Sequence, residues 1–302
     1  MSYTLSTTTL PRSNSNAEFQ AWGKQISDAI ANCGFIKQSD ANVGTQIDWA
    51  TVAKPSATFQ YRGYEIYAFD DAMQATTPIF FKIEYGSGTA ITNPALLLTV
   101  GSGANGSGNV TGNTSGVPGV GAWATSTSGA ANIISYYSGS NNRFCMIFGS
   151  GGTVQNRMHW GMERTLDSAG AVTSDGLAFI QGYSTNWYQV LWTPLTGNVT
   201  AWETSVSAIT PGTIGGSGSP MGVAGGEHLA VYPLFFNKGA VWFPPQTMFL
   251  LMFSGNFTSG VEQEIPIYGA NVAYIVNALG NTSFYTNAVR GGNKITAMMR
   301  WD

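Results

Sequence analysis

The sequence predicts a mainly β protein: an antiparallel β-sandwich or jelly-roll-like body, preceded by one α-helix and an extended N-terminal arm. Three observations carry that expectation. Beyond about residue 57, short apolar runs with period two recur roughly every ten residues. Turn-forming clusters such as Gly149–Gly152, Thr196–Asn198 and Gly291–Asn293 separate them. No strand–helix alternation on the ~30-residue scale of βαβ units is visible, which argues against a doubly wound sheet.

Residues 1–14 are rich in Thr and Ser, contain Pro11 and show no periodicity. They read as an arm that a partner would order. Ser15 and Glu18 then have capping-box spacing, because each side chain can satisfy a free amide of a first helical turn. Phe19, Trp22, Ile26, Ala29, Ile30 and Cys33 recur at steps of three and four and form one apolar stripe. Gly34 suits the left-handed stop position, so a helix is expected over about 16–33. A stripe this short must dock, either on the chain's own sheet or on another subunit.

An irregular bridge is expected over 35–58, ending near Pro55. Phe59 and Tyr61 share one strand phase, Tyr64 and Ile66 the other, and Gly63 between them marks a bulge. Ile79, Phe81, Ile83 and Tyr85 alternate with Phe80, Lys82 and Glu84, which predicts a sheet with one drier face. Further strands are expected at Ala95–Val100, Ile133–Tyr137, Arg143–Phe148, Arg157–Glu163, Leu177–Tyr183, Trp187–Trp192, His228–Phe236, Thr247–Phe253, Glu262–Tyr268, Asn271–Val276 and Lys294–Trp301. Gly101–Ala122 and Thr210–Gly226 read as long low-complexity loops. The expected organisation is an anchoring unit over 1–56 and a sandwich body over 57–302.

Charged residues are 10% of the 302 residues, while aromatics reach 13% and Gly numbers 38. Ordinary soluble domains carry roughly 25% charged residues. A surface so poor in charge is expected to lie largely against neighbours. The formal net charge is −3, and 13 scattered Lys and Arg give no footprint for nucleic acid. No apolar run approaches the ~20 residues that span a bilayer, so no membrane insertion is expected. The first residues lack the basic and apolar regions of a signal peptide, which predicts synthesis in a cytoplasm. Cys33 and Cys145 are expected to be buried free thiols rather than a disulfide framework.

Signals for chemistry are weak. Gly101, Gly103 and Gly106 match G-x-G-x-x-G, but the residues that follow cannot open the helix a dinucleotide needs. His159 and Glu163 share a strand face about 13 Å apart, too far for one ion, and are expected on a polar face at solvent or an interface. His228 beside Glu227 demands no metal either. Asp70 with Asp71, or Glu262 with Glu264, are the carboxylate pairs that a glycan hydrolase could use. No cofactor and no catalytic residue is expected. Trp187, Tyr188 and Trp192 crowd one strand and are candidates for a surface contact with a carbohydrate or a protein.

The stretches AEFQAWGKQISDAIANCGF, QIDWATVAKPSA, GYEIYAFDDAMQATTPIFFKIEYGSG and NPALLLTVGSGANGSGNVTG span residues 17–112. With Phe19, Trp22, Asp48–Trp49 and Tyr64–Ile66, they resemble a family of tailed-bacteriophage virion structural proteins, those labelled tail, baseplate or minor structural proteins. The resemblance implies a tail, baseplate or tail-fibre subunit on the particle exterior, built as a homo-oligomer with a trimer favoured. Its partners would be copies of itself, other virion proteins and a host surface glycan. Phe19, Trp22, Ile26 and Ile30 would then anchor the subunit to the particle. A capsid decoration or head-fibre protein, and a glycan-binding or glycan-hydrolysing phage protein, are the alternatives.

Overall fold

A computed structural model describes residues 9–10, 15–38, 46–88, 91–92, 94–112, 133–150, 157–167, 169–181 and 187–192. Further on it describes residue 246 and strand segments between 207 and 300. The chain is mainly antiparallel strands with one helix near its N-terminus.

Helix α1 spans Asn16–Asn32. Its start is the expected capping box: the Glu18 amide donates to Ser15 Oγ at 3.1 Å and the Ser15 amide to Glu18 Oε2 at 3.0 Å. Its end is also as expected. The Cys33 and Gly34 amides close on the carbonyls of Ala29 and Ala31, and Gly34 takes φ 94°, where a Cβ would be strained.

The helix lies on a four-stranded sheet ordered β2 (Ile36–Lys37), β3 (Tyr61–Ala68), β4 (Phe80–Ser87) and β5 (Pro94–Gly101). The register shifts between Tyr61 and Gly63, as the glycine suggested. Ile79, Phe81, Ile83 and Tyr85 are all buried, so the drier face is the predicted one. Tyr67 on β3 and Phe69 just beyond it join the central cluster, and Ile66 is buried as well. Tyr64 is half-buried under the Lys82 ammonium, 4.6 Å from its ring centre.

The Gly-rich segment after β5 is not structureless. β6 (Gly103–Ala104) and β7 (Val110–Thr111) pair as a hairpin. Asn105 Oδ1 caps its turn by accepting from the Ser107 and Asn109 amides at 2.8 and 3.1 Å. Local side-chain hydrogen bonds thus order the first part of the expected low-complexity loop. Residues 113–122 and the second expected loop, Thr210–Gly226, lie outside the described residues.

A six-stranded sheet follows: β1 (Thr9–Leu10), β8 (Ile133–Ser140), β9 (Arg143–Ser150), β10 (Arg157–Leu166), β11 (Val172–Gln181) and β12 (Trp187–Trp192), in that order. Gly139, Phe144, Met162 and Ala178 form one row across it. The last three belong to the same buried cluster as Phe19, Trp22, Phe35 and Phe81. The two sheets therefore share one core, as in a sandwich. Gly139 is required in that row: a Cβ there would sit 2.6 Å from the Arg143 carbonyl and 2.8 Å from Cys33 Sγ.

The C-terminal strands form two more antiparallel sheets. One is ordered β14 (His228–Pro233), β17 (Met248–Ser254), β20 (Asn293–Arg300), β19 (Ala273–Asn277), β18 (Glu262–Pro266). The other is ordered β13 (Ser207–Ile209), β15 (Phe235–Lys238), β16 (Val241–Phe243). The run expected over His228–Phe236 thus divides after Pro233 between two sheets. Proline has no amide hydrogen to continue a ladder.

Candidate functional site

Two buried charges organise the region where α1 meets the sheets. Glu65 on β3 points into the core and is 0% exposed. Its Oε1 accepts from Ser27 Oγ at 2.8 Å, Lys37 Nζ at 2.7 Å and Trp49 Nε1 at 3.3 Å. Its Oε2 accepts from the hydroxyls of Tyr85 at 2.7 Å and Tyr67 at 3.0 Å. Helix, bridge and three strands thus converge on one carboxylate. Burial, and after it the charge of Glu65, raises both tyrosine hydroxyls well above the ordinary titration range.

The second charge is Arg164 on β10, also 0% exposed. Its guanidinium grips Asp71 through two bonds, Nε to Oδ2 at 2.8 Å and Nη2 to Oδ1 at 3.0 Å. Nη1 donates to the carbonyls of Thr77 at 2.8 Å and Ser174 at 2.7 Å. The plane lies over Phe69, 5.4 Å from the ring centre. This ties the loop between β3 and β4 to the six-stranded sheet.

At the C-terminal end of α1, where Cys33 and Gly34 meet the β8–β9 turn, opens a cleft of about 590 Å³. The β8–β9 turn supplies Ser140, Asn141, Asn142 and Arg143. Asn141 is locked by Asp70: its carbonyl accepts the Asp70 amide at 3.1 Å, and its Nδ2 donates to the Asp70 carbonyl. Asn142 Oδ1 accepts from Ser140 Oγ at 3.1 Å. From the other side comes buried Gln246, whose amide donates to a Glu163 carboxylate oxygen and whose Nε2 donates to the Arg164 carbonyl.

The sequence-predicted residues fall as follows. Phe19, Trp22, Ile26 and Ile30 are core residues packed on the chain's own sheet, with Trp22 edge-on to Tyr85 at 6.0 Å between ring centres. All four are buried there. The helix and the sheets it packs on contribute to one buried core. Trp187 and Trp192 lie on β12 in register with Gln181 and Leu177, and Tyr188 sits where that register shifts. Glu163 is buried, in contrast to the polar outward face expected for it and His159, because the Gln246 amide satisfies its carboxylate. Asp71 is held by Arg164, and Glu262 and Glu264 lie on β18. Cys33 and Cys145 are buried thiols that form no disulfide, as expected. Glu227 lies outside the described residues. Among the described residues no group of His, Cys, Asp or Glu is placed to hold a metal ion.

Glu65, Arg164 and Gln246 carry no signal in the sequence beyond their polarity. The strand phase shared with Tyr67 and Phe69 was the one available clue to Glu65. Comparison with protein-family models, curated proteins and solved structures gave no match.

Proposed function

We propose that this chain is a structural subunit of a bacteriophage virion: a tail, baseplate or tail-fibre component that assembles as a symmetric homo-oligomer. The observation that carries the reading is composition. A chain with 10% charged and 13% aromatic residues has a surface suited to contact with copies of itself. Buried apolar area at ~25 cal/mol/Å² would drive that association, less the cost of lost freedom. The residues that carry the family resemblance, 17–112, include the helix and the sheet it packs on, so the resemblance rests on a folded unit.

With α1 inside the core, the anchor is assigned to the arm, residues 1–14. Its described part, Thr9–Leu10, adds two residues to the edge of β8. Hydrolysis gains no support from Asp70 and Asp71, since the second carboxylate is occupied by a buried guanidinium.

The test is the mass of the purified chain in solution, followed by immunogold electron microscopy of phage particles. A homo-oligomer and gold at the tail are expected. A monomer that labels no particle would overturn the reading, and gold on the head would shift it to a capsid decoration protein. Removal of residues 1–14 should leave a folded protein that fails to join the particle.

A further inference from the structure

We propose that the cleft at the C-terminal end of α1 binds a neutral saccharide unit. This goes beyond the structural role proposed above and is carried by the cleft's own chemistry. A cavity of about 590 Å³ lies within the ~300–1,000 Å³ range of small-molecule sites.

Its polar lining is dominated by carboxamides: Asn141, Asn142 and Gln246. Each holds one end of its amide against the protein, to Asp70, Ser140 and Arg164 respectively. Among the described residues, Asn141 Oδ1, Asn142 Nδ2 and Gln246 Oε1 take no further hydrogen bond. Two acceptors and one doubly donating amine therefore stand at a single site, held rigidly by their other ends. Ring hydroxyls, which both donate and accept, are the natural complement to such a mixture. Leu166 and Val172 give the apolar surface a sugar's C–H face needs.

Charge decides against other ligands. Among the described residues no carboxylate lines the cleft, so a cation finds no counter-charge there. The helix presents its C-terminal end here, where the peptide dipoles leave partial negative charge. Arg143 is the single cation among the described lining residues, and it stands opposite Glu163 in the β9–β10 register. A phosphate or other anion therefore meets no net positive field, and a neutral ligand loses nothing. The cleft is also kept open by two turn glycines, Gly34 and Gly170, at φ 94° and 82°. Nothing lies within 4 Å of where a Gly170 Cβ would stand. A site with so few contacts binds weakly alone. Repeated in an oligomer, such sites reach useful avidity by effective concentration.

Saturation-transfer NMR on the full chain tests this, with glucose, galactose, rhamnose, N-acetylglucosamine and their short oligosaccharides as probes. Sialyllactose and inorganic phosphate serve as anionic controls. Transfer to at least one neutral sugar is expected, with a signal lowered about five-fold or more in Asn141→Ala and in Val172→Trp, which fills the cleft. Melting curves verify that each variant is folded; if one is not, the other carries the test. No transfer to any neutral sugar, transfer only to the anions, or transfer that survives both substitutions but is lost in Trp187→Ala would each overturn the proposal. The measurement uses isolated protein, so its failure leaves the virion reading standing, and gold labelling can fail without touching the cleft.

Discussion

Glu65 and Arg164 are both fully buried charges bordering one core, and they solve the same problem in opposite ways. The carboxylate is satisfied mainly by neutral donors: two tyrosine hydroxyls, a serine and an indole, with Lys37 reaching in from the edge. The Lys37 side chain remains 44% exposed. The guanidinium is satisfied by one full counter-charge, Asp71, and by carbonyls. The first centre fastens helix to sheet. The second fastens a loop to the other sheet. A charge spread over neutral dipoles should tolerate loss of any one partner. A charge matched by a single counter-ion should not.

Arg164→Ala is the harshest test of that contrast. It strands the Asp71 carboxylate with no cation beside it, and removing one member of a buried pair costs about 3–5 kcal/mol. Urea midpoints at unchanged slope would report it. Arg164→Lys should recover only part, because an ammonium cannot make the two parallel bonds to Asp71. A loss below about 1 kcal/mol for the alanine variant would show that water reaches the pair and that the two centres do not differ.

Glu65→Gln comes next, at about 1.5–3 kcal/mol. The amide keeps the shape and one acceptor, but it turns donors toward groups that are themselves donors. Lys37→Met should cost less than ~1 kcal/mol, since its partly exposed ammonium is solvated anyway and four neutral donors still hold the carboxylate. If Lys37→Met proved as damaging as Glu65→Gln, the carboxylate would depend on its cation after all, and the contrast with Arg164 would disappear.

These two charges are also where the sequence was least legible. Ser15, Glu18 and Gly34 announce the helix because capping is local chemistry. The alternation Ile79–Tyr85 announces its sheet because one face is uniformly apolar. Gly63 announces a bulge, and Cys33 and Cys145 announce burial. Glu65 stays hidden because period-two reading assigns a charge to the outer face. Only donors brought from Ser27, Lys37, Trp49, Tyr67 and Tyr85 by the fold reverse that assignment. Arg164 stays hidden for the same reason, since Asp71 and Thr77 reach it from a distant loop. The cleft is legible only in part: Gly34 marks the helix end, but Asn141–Asn142 read as an ordinary turn and Gln246 as nothing.

Of the two centres, alkaline pH probes that of Glu65. Tyr67 and Tyr85 have raised pKa values, caused first by burial and then by Glu65. The folded chain therefore keeps those protons when the unfolded chain, titrating near 10, has lost them. The stabilisation is fully present below pH 10 and declines as pH rises above it, by at most ~1.4 kcal/mol per pH unit per tyrosine. Tyr85→Phe should flatten that decline while Arg164→Lys leaves its slope unchanged. An identical slope in the wild type and Tyr85→Phe would mean that Tyr85 does not stay protonated in the fold.

The mildest perturbation is Ser15→Ala, which removes a cap at the helix end far from the cleft and should cost about 1 kcal/mol. Its use lies in pairing. The helix carries Ser27, so loosening its first turn should couple to Ser27→Ala through a shared element. Arg164 shares no partner with the helix, so Ser15→Ala and Arg164→Lys should add within about 0.5 kcal/mol. Coupling above that in the second pair, read from a double-mutant cycle, would mean that helix and loop open together and that the two buried charges hold one cooperative unit.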